Sequence, residues 1–413
     1  MDKQSEKLSQ SSISARFVAD IRQIFCGKAN ISFANGITVI FALTIILFAL
    51  GWLFDPFATQ QNLFFMWFKD FLADFFNPVI YVNDCNPYFA LDHTRSARIS
   101  TPLHYLVFYL FDLVIGSPMT FKEMLQDKTA LVVAVLNLVF YEVFLFFMLA
   151  KISGGKNKIL LFLLLFSSVN MFAIERGTLV IFTAGCIAGF LHYYQSSERK
   201  AQIFALILLS LAAALKVYPA LFSLMLLKKK DFKGILFCIV LTSALGFLPM
   251  LCFKGGLDNL QLLFGNLKEY RTFYKISPGA KALMMLMPEN VVLFWLKAVD
   301  ALAIGTLIYS FFSGNRERLC LATAAVIILC PTGAMPYTQL YLLPAFLLFM
   351  NRIRQTHSKE DVLTAAGYIL LFMPFQLSEH INKTFVLTVL PLMLLIQLSG
   401  EIREIQKKRN ICG

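Results

Sequence analysis

Apolar runs of membrane-spanning length, separated by short polar segments, dominate this 413-residue chain. A spanning helix needs about 20 mainly apolar residues, and fewer where it crosses only part of the bilayer. The pattern predicts an all-α polytopic protein with about twelve passes, some of them short: Ala34–Phe54, Thr129–Ala150, Ile159–Ile174, Thr178–Tyr194, Ile203–Leu215, Tyr218–Leu227, Gly234–Phe253, Val291–Phe312, Leu319–Met335, Tyr337–Met350, Asp361–Phe375 and Thr384–Leu398. An even number of passes places both termini on one side.

Two longer stretches, residues 55–128 and 254–289, are predicted to face the side opposite the termini. The first is rich in aromatic residues and contains a further apolar run, Pro102–Pro118, which we expect to lie in the membrane interface. Amphipathic, aromatic-rich segments favour that position, so interfacial helices are expected in this loop. Residues 34–399 then form one transmembrane domain between an N-terminal tail, residues 1–33, and a basic tail, residues 400–413.

The composition fits a membrane protein and excludes several soluble classes. Hydrophobic residues make up 58% of the chain and charged residues 15%, against about 45–50% and about 25% in ordinary globular proteins. No stretch is polar enough for a separate nucleotide-sugar or ATPase domain, and no glycine-rich phosphate loop is present. Cysteines are scattered and mostly lie in apolar segments, so no disulfide framework is expected.

The net charge of +12 predicts orientation and not nucleic-acid binding, because lysines and arginines cluster in short turns between apolar runs. By the positive-inside rule these turns and both termini face the cytoplasm. The first thirty-odd residues are polar and unlike a cleavable secretion signal, so we expect the first apolar run to be retained as an anchor. The predicted location is the cytoplasmic (inner) membrane, with the functional face outward.

The first candidate for chemistry is the acidic segment Lys69-Asp70-Phe71-Leu72-Ala73-Asp74 in the first outer loop. An aspartate held between aromatic rings at an interface has the raised pKa that a general base needs. A solvated acid on an interfacial helix explains the segment equally well.

The second candidate is the turn Glu175-Arg176-Gly177-Thr178 between two apolar arms. The Arg176 guanidinium offers a fork of donors suited to phosphate or carboxylate, and Gly177 allows close approach. The alternative is a local Glu175–Arg176 pair that closes the turn. Function is favoured, because ionisable groups near the membrane core are costly.

The third candidate is Leu215-Lys216-Val217-Tyr218-Pro219, which joins arms of only about 13 and 10 residues. Arms this short do not cross a core of about 30 Å, so the turn is expected to be sunk within the protein. A lysine there needs an anionic partner, either a carboxylate of the chain or a ligand phosphate.

The second outer loop supplies a basic and aromatic mixture that suits a phosphate or a sugar face, although for any single residue a solvated loop face is the simpler explanation. Its members are Lys268, Tyr270, Arg271, Tyr274 and Lys275. Taken together, the four candidates indicate an outward-opening cavity with one acid and several buried cations. A lipid-linked phosphate substrate fits that description, and so does a transported anion.

These segments, in this order, resemble the GT-C class of membrane glycosyltransferases, and most closely the polyprenol-phosphate-mannose-dependent mannosyltransferases of bacteria. A more distant similarity is to the mannosyltransferase that adds the first mannose of GPI anchors. The similarity extends from about Asp70 to about Pro344. The elements that carry it are Asp70, Pro87-Tyr88, Thr101-Pro102-Leu103 (with Ser100 where the family has Tyr), Glu175-Arg176-Gly177-Thr178 (with Thr for Asn), Leu215-Lys216-Val217-Tyr218-Pro219 and, faintly, Lys275-Ile276-Ser277-Pro278.

The resemblance implies transfer of a hexose, with mannose favoured, from a polyprenyl-phosphate donor to a lipid-linked or envelope glycan acceptor, with inversion. Asp70 is then the general base. The donor phosphate contacts Arg176 and Lys216, with Arg271 and Tyr218 as further candidates. Second-rank candidates for acceptor contacts or for the base are Asp74, Asp84, Tyr88, Asp92 and His93. Fixed cations replace a metal, so neither a metal nor a cofactor is expected, and the partners are membrane lipid, donor and acceptor.

One departure bears on the sugar. Many members of that family have a His pair before the late Leu-Leu-Pro, whereas here Tyr337-Thr338 precede Leu342-Leu343-Pro344. Two other functions stay open on residue chemistry alone. One is a transporter or flippase of a lipid-linked or anionic substrate, although no repeat relates the two halves. The other is an envelope polymer ligase or polymerase with the same donor chemistry.

Overall fold

A computed structural model of the chain describes residues 33–54, 70–83, 86–90, 97–116, 119–155, 158–273, 278–313, 315–331, 335–353, 358–373 and 379–412. Every regular element within these ranges is helical, as the sequence predicts. The first half contains α1 (Phe33–Phe54), α2 (Ala73–Asn83), α3 (Pro102–Ile115), α4 (Phe121–Met124), α5 (Lys128–Ile152), α6 (Lys158–Leu165), α7 (Ser168–Arg176), α8 (Val180–Tyr193) and α9 (Arg199–Leu215).

The second half continues with α10 (Leu224–Lys228), α11 (Phe232–Phe247), α12 (Asn259–Phe273), α13 (Pro278–Met284), α14 (Glu289–Ser313), α15 (Arg316–Leu329), α16 (Leu343–Ile353), α17 (Lys359–Phe372) and α18 (Glu379–Cys412). Tighter 3₁₀ segments occupy Tyr218–Ser223, Leu248–Cys252, Gly256–Asp258 and Pro336–Leu342. Three of them have proline in the first turn, where its fixed φ and missing N–H are tolerated.

The prediction of about twelve passes is not confirmed. Among the described residues, three helical stretches are long and apolar enough to cross a membrane: Lys128–Ile152, Phe232–Cys252 and Glu289–Ser313. A fourth results if α6 and α7, which meet at a bend of 50°, count as one span. Other predicted passes appear as shorter apolar helices, such as the 14-residue α8. Membrane orientation stays a prediction.

Helix α8 lies at the centre of the bundle and packs between α5 and α9. Nearly all of its side chains are buried. Two glycines let the neighbouring helices approach closely: a Cβ on Gly185 would lie 2.8 Å from a ring carbon of Phe144, and one on Gly189 would lie 2.6 Å from Leu208. Small residues at helix contacts are the usual way of packing helices in membranes.

The bend between α6 and α7 has a polar origin. Ser167 caps α7, accepting a hydrogen bond from the Asn170 backbone at 3.3 Å. The buried Asn170 amide donates to the Leu165 carbonyl at 3.0 Å and to both carboxylate oxygens of Glu142 on α5, at 3.0 and 3.1 Å. Helix α7 therefore restarts in a fixed direction, and its C-terminal end carries Arg176.

The described parts of the two predicted outer loops contain several helices and contact each other. Residues 254–289 contain α12 and α13, and the buried Asn266 amide on α12 donates to the carbonyls of Tyr88 and Arg98 at 2.9 and 3.0 Å. Helix α3 occupies most of the predicted interfacial run Pro102–Pro118; Thr101 caps its N-terminus, and Gly116 ends it at φ +73°. At the C-terminal end, α18 continues without a break past residue 400 to Cys412.

Candidate functional site

The acidic segment forms a tight turn that starts helix α2. Leu72 adopts φ +57°, and its carbonyl accepts hydrogen bonds from the backbone of Phe75 and Phe76 at 3.0 and 2.8 Å. A buried leucine in the left-handed region costs about 1–2 kcal/mol. Such strain persists only where surrounding contacts enforce it, and it tends to occur at functional sites. Its effect here is to place Asp70 before the helix and Asp74 in its first turn.

The turn at the end of α7 packs directly on this acidic turn. The Leu72 backbone donates to the Glu175 carbonyl at 2.6 Å. Gly177 ends α7 at φ +67°, a conformation that glycine adopts without steric cost. A Cβ at this position would lie 2.8 Å from the Phe75 Cβ and 3.1 Å from Leu72 Cδ2. Gly177 is therefore needed both for its dihedral angle and for the close approach of the two turns.

Arg176 joins both aspartates. Its Nη1 lies 2.9 Å from Asp70 Oδ2, while Nε and Nη2 donate to Asp74 Oδ1 at 3.1 and 2.5 Å. The side chains of Arg176 and Asp74 are 12% and 20% exposed, whereas that of Asp70 is 54% exposed. The carboxylates come from about a hundred residues earlier in the chain, so the turn does more than close on its neighbour Glu175.

Lys216 lies close enough to Asp74 to interact with it electrostatically. It follows α9 in an extended conformation (φ −143°) and is half-buried. The arm before it is longer than predicted, because α9 begins at Arg199 and has 17 residues. Asp74 attracts the Lys216 ammonium and also interacts electrostatically with the Tyr218 hydroxyl. Of the two anionic partners considered for Lys216, a carboxylate of the chain, that of Asp74, interacts with it at longer range than an ion pair.

A further residue of the cluster, Tyr337, comes from the Pro336–Leu342 segment. Its ring stacks on Phe172 of α7, with centroids 5.8 Å apart, and its hydroxyl interacts electrostatically with the Asp74 carboxylate. Tyr337 also interacts electrostatically with Arg176 and Tyr218. Behind it, the buried hydroxyls of Tyr341 and Thr183 lie 2.5 Å apart. In the sequence Tyr337 stands out only as a departure from the family pattern. Its position shortly before Leu342-Leu343-Pro344 is the signal that could have identified it as a site residue.

The remaining predicted residues divide into three groups. Tyr88 is fully buried, and its hydroxyl donates to the Ser100 carbonyl at 3.2 Å, so it serves the packing of the first outer loop. Arg271 is exposed near the end of α12, while its neighbour Tyr270 interacts with Tyr218. The other second-rank candidates, Asp84, Asp92 and His93, lie outside the described residues, as do Tyr274 and Lys275.

Among the described residues no three His, Cys, Asp or Glu side chains come together as a metal site. The expectation that the reaction needs no metal is not tested by this. The cluster's own chemistry is two carboxylates, two cations and two phenols at the meeting point of α2, α7, α9 and the Pro336–Leu342 segment. Such a set can accept a proton and hold a phosphate.

A family model for glycosyltransferase family 87 matches residues 101–374, more than half of the chain. The chain belongs to glycosyltransferase family 87. Its apolar helices and this family make it a membrane glycosyltransferase, in agreement with the sequence prediction at that level. The match includes Arg176, Lys216 and Tyr337, whereas Asp70 and Asp74 precede it. Comparisons with curated proteins and with solved structures found no match.

Proposed function

We propose that this family 87 protein transfers a hexose, with mannose favoured, from a polyprenyl-phosphate donor to a lipid-linked or envelope glycan acceptor on the outer face of the cytoplasmic membrane. The observation that carries the proposal is the fork of Arg176 on Asp70 and Asp74, with Lys216 beside Asp74. A phosphate needs fixed cations, and glycosyl transfer to a hydroxyl needs a base within reach of them. Both requirements are met within one cluster.

Asp70 is the better base of the two acids. Asp74 already accepts two hydrogen bonds from Arg176 and interacts electrostatically with Tyr337 and Lys216. These contacts hold Asp74 in place as a fixed anchor. Among the described residues Asp70 forms one ion pair, to Arg176, and more than half of its side chain is open to an approaching acceptor.

The transfer is an inverting displacement. The acceptor oxygen forms a bond to the anomeric carbon, its proton passes to Asp70, and the bond from that carbon to the phosphate oxygen breaks. The departing polyprenyl phosphate gains one negative charge. At the same time Asp70 becomes neutral and releases its share of Arg176, which turns to the phosphate together with Lys216. Each such electrostatic contact contributes about 3–4 kcal/mol to the transition state in comparable sites.

Further parts of the proposal depend on the same cluster. Tyr218 and Arg271 complete the phosphate contacts, the cations make a metal or cofactor unnecessary, and both termini lie in the cytoplasm. The alternative of a transporter or flippase is not favoured, because the family is one of transferases. A polymer ligase would use the same donor chemistry with a diphosphate and would differ in its acceptor.

The test supplies purified protein with labelled polyprenyl-phosphate mannose or polyprenyl-phosphate glucose, together with membrane extract as the source of acceptor. We expect Asp70→Asn to lose at least 100-fold in rate while donor binding stays near normal, since a general base contributes about 10²–10⁴-fold. Asp74→Asn should weaken donor binding as well, because it releases Arg176 and Lys216 from their common anchor.

The matched control is Asp258→Asn, an exposed acid in the 3₁₀ segment Gly256–Asp258, which should transfer at the wild-type rate. Full activity of Asp70→Asn would remove the assigned base. If neither lipid-linked sugar yields a product, and a nucleotide sugar does, the donor class is wrong. Activity that survives exhaustive chelation with EDTA would support transfer without a metal.

A further inference from the structure

His104 is a buried histidine that the proposed reaction does not yet use. It lies in the first turn of α3 and is 3% exposed. Its ring stacks on Phe108 at 4.8 Å and meets Tyr105 edge-on at 6.0 Å. Neither ring nitrogen has a hydrogen-bond partner among the described residues. A buried polar group without a partner costs about 1–3 kcal/mol, so an apolar residue would suit this packing better.

The position of His104 connects it to the Lys216 turn. The His104 backbone donates to the Thr101 hydroxyl at 3.4 Å, and that hydroxyl donates to the Leu215 carbonyl at 3.1 Å. The N-terminal end of α3 is therefore bonded to the residue that precedes Lys216. The electrostatic interaction between His104 and Lys216 agrees with this short connection.

The local field around His104 is positive. A helix N-terminus carries roughly half a positive charge, and Lys216 adds a full one, with Asp74 as the anion opposite Lys216. Burial, together with the nearby Lys216 charge, lowers the pKa of the His104 imidazole, and the neutral ring still has one N–H to donate. The free ring N–H, the helix N-terminus and the Lys216 ammonium would all be satisfied by an anion with several acceptor oxygens. A phosphate is such an anion.

We propose that His104 belongs to the donor site, where a ring N–H hydrogen-bonds to the phosphate of the lipid-linked donor beside Lys216. This inference depends on the proposed function, since Lys216 is the contact that the two share. It explains why a histidine without a hydrogen-bond partner is buried here, because its ring N–H gains a partner only when the donor phosphate is bound. It also assigns a role to the residue that follows the Thr101-Pro102-Leu103 motif.

The experiment measures binding of undecaprenyl phosphate to the purified full-length protein in detergent. Variants His104→Phe and His104→Leu remove both nitrogens and fill the apolar site, and His104→Gln keeps an N–H donor. A hydrogen bond to a charged group predicts at least about tenfold weaker binding for Phe and Leu, with partial recovery for Gln. Thermal unfolding without ligand should occur at the same or a higher temperature in the Phe and Leu variants, since a buried polar group is gone.

The matched control is His192→Phe. His192 lies in the last turn of α8, about 20 Å along that helix from Val180, which is at the end that follows the Arg176 turn. It should bind undecaprenyl phosphate as the wild type does. Inorganic phosphate and vesicles of phosphatidylglycerol form the other arms. Two results would overturn the assignment to the lipid-linked donor. One is that the His104 variants lose affinity for phosphatidylglycerol to the same degree as for undecaprenyl phosphate. The other is that they lose affinity for inorganic phosphate alone.

Lys216→Ala separates the two proposals. Weaker binding in Lys216→Ala with wild-type binding in all His104 variants would overturn the role of His104 and leave the donor site standing. Wild-type binding in Lys216→Ala and in Arg176→Ala would instead overturn the proposed donor site itself. Weaker binding in both Lys216→Ala and His104→Phe, with recovery in His104→Gln, is the expected result.

Discussion

Substitution of Gly177 by alanine tests whether the contact between the two turns holds the site together. The added Cβ would lie 2.8 Å from the Phe75 Cβ, an atom fixed to the backbone, so no rotamer change relieves the overlap. Overpacking of this kind costs about 1–3 kcal/mol. The φ of +67° adds about 1–2 kcal/mol of left-handed strain. Gly177→Ala should therefore destabilise the protein by about 2–5 kcal/mol.

Two other glycines separate these contributions. Gly116 has φ +73° with nothing within 4 Å of a Cβ, so Gly116→Ala carries strain without overlap. Gly305 within α14 has neither, and alanine there should be neutral or stabilising by up to about 1 kcal/mol. Thermal unfolding midpoints in detergent should fall in the order Gly305→Ala, wild type, Gly116→Ala, Gly177→Ala.

Glycosyl transfer per folded molecule is the second assay. Relief of the overlap moves the turn with Asp70 and Asp74 away from Arg176, and a displacement of about 1 Å can cost about 100-fold in rate. Gly116→Ala should keep its activity despite its lost stability. The reasoning is refuted if Gly177→Ala transfers sugar at the wild-type rate and loses no more stability than Gly116→Ala.

Two further predictions concern polar contacts outside the cluster around Asp70 and Asp74. Asn170→Ala should lower the free energy of unfolding by about 1–3 kcal/mol and slow transfer, because it leaves the half-buried Glu142 carboxylate without its Asn170 hydrogen bonds and frees the bend before Arg176. Glu142→Gln, which keeps the shape, should lose less, and equal losses would contradict this account. Arg352→Met should lower the free energy of unfolding by about 3–5 kcal/mol, since Glu317 on α15 and Asp361 on α17 both lose their ion pair. Their side chains are only 8% and 9% exposed. An unchanged thermal unfolding midpoint would contradict this prediction.

The helical fold was predictable because its signals are local. Apolar runs, caps such as Thr101 and Asp127, and the glycine after Arg176 act within one turn of the residues they control. The number of passes was harder to predict, since several helices are shorter than a bilayer and are broken by polar contacts. The bend at Asn170 is one example, because its cause lies on α5, 28 residues away.

The candidate site, too, was predictable from the sequence only in part. Residue type alone singled out Asp70, Arg176 and Lys216, because charged groups are costly in an apolar chain and need a reason to be there. Which charges meet was open: Arg176 has an acid beside it in the chain, yet it holds two that are 102 and more residues away. The prominence of Asp74, the hydroxyl of Tyr337 and the buried ring of His104 also came from the fold.

The sequence by itself determined the class of protein, the approximate positions of the long apolar helices and the side chains able to do chemistry, since these depend on composition and on neighbours within a few residues. Only the tertiary structure decided which carboxylate is open, which is clamped, and which cation each one faces. Those outcomes depend on how turns from α2, α7, α9 and the Pro336–Leu342 segment pack against one another. No local pattern specifies that packing, because each contact joins residues far apart in the chain.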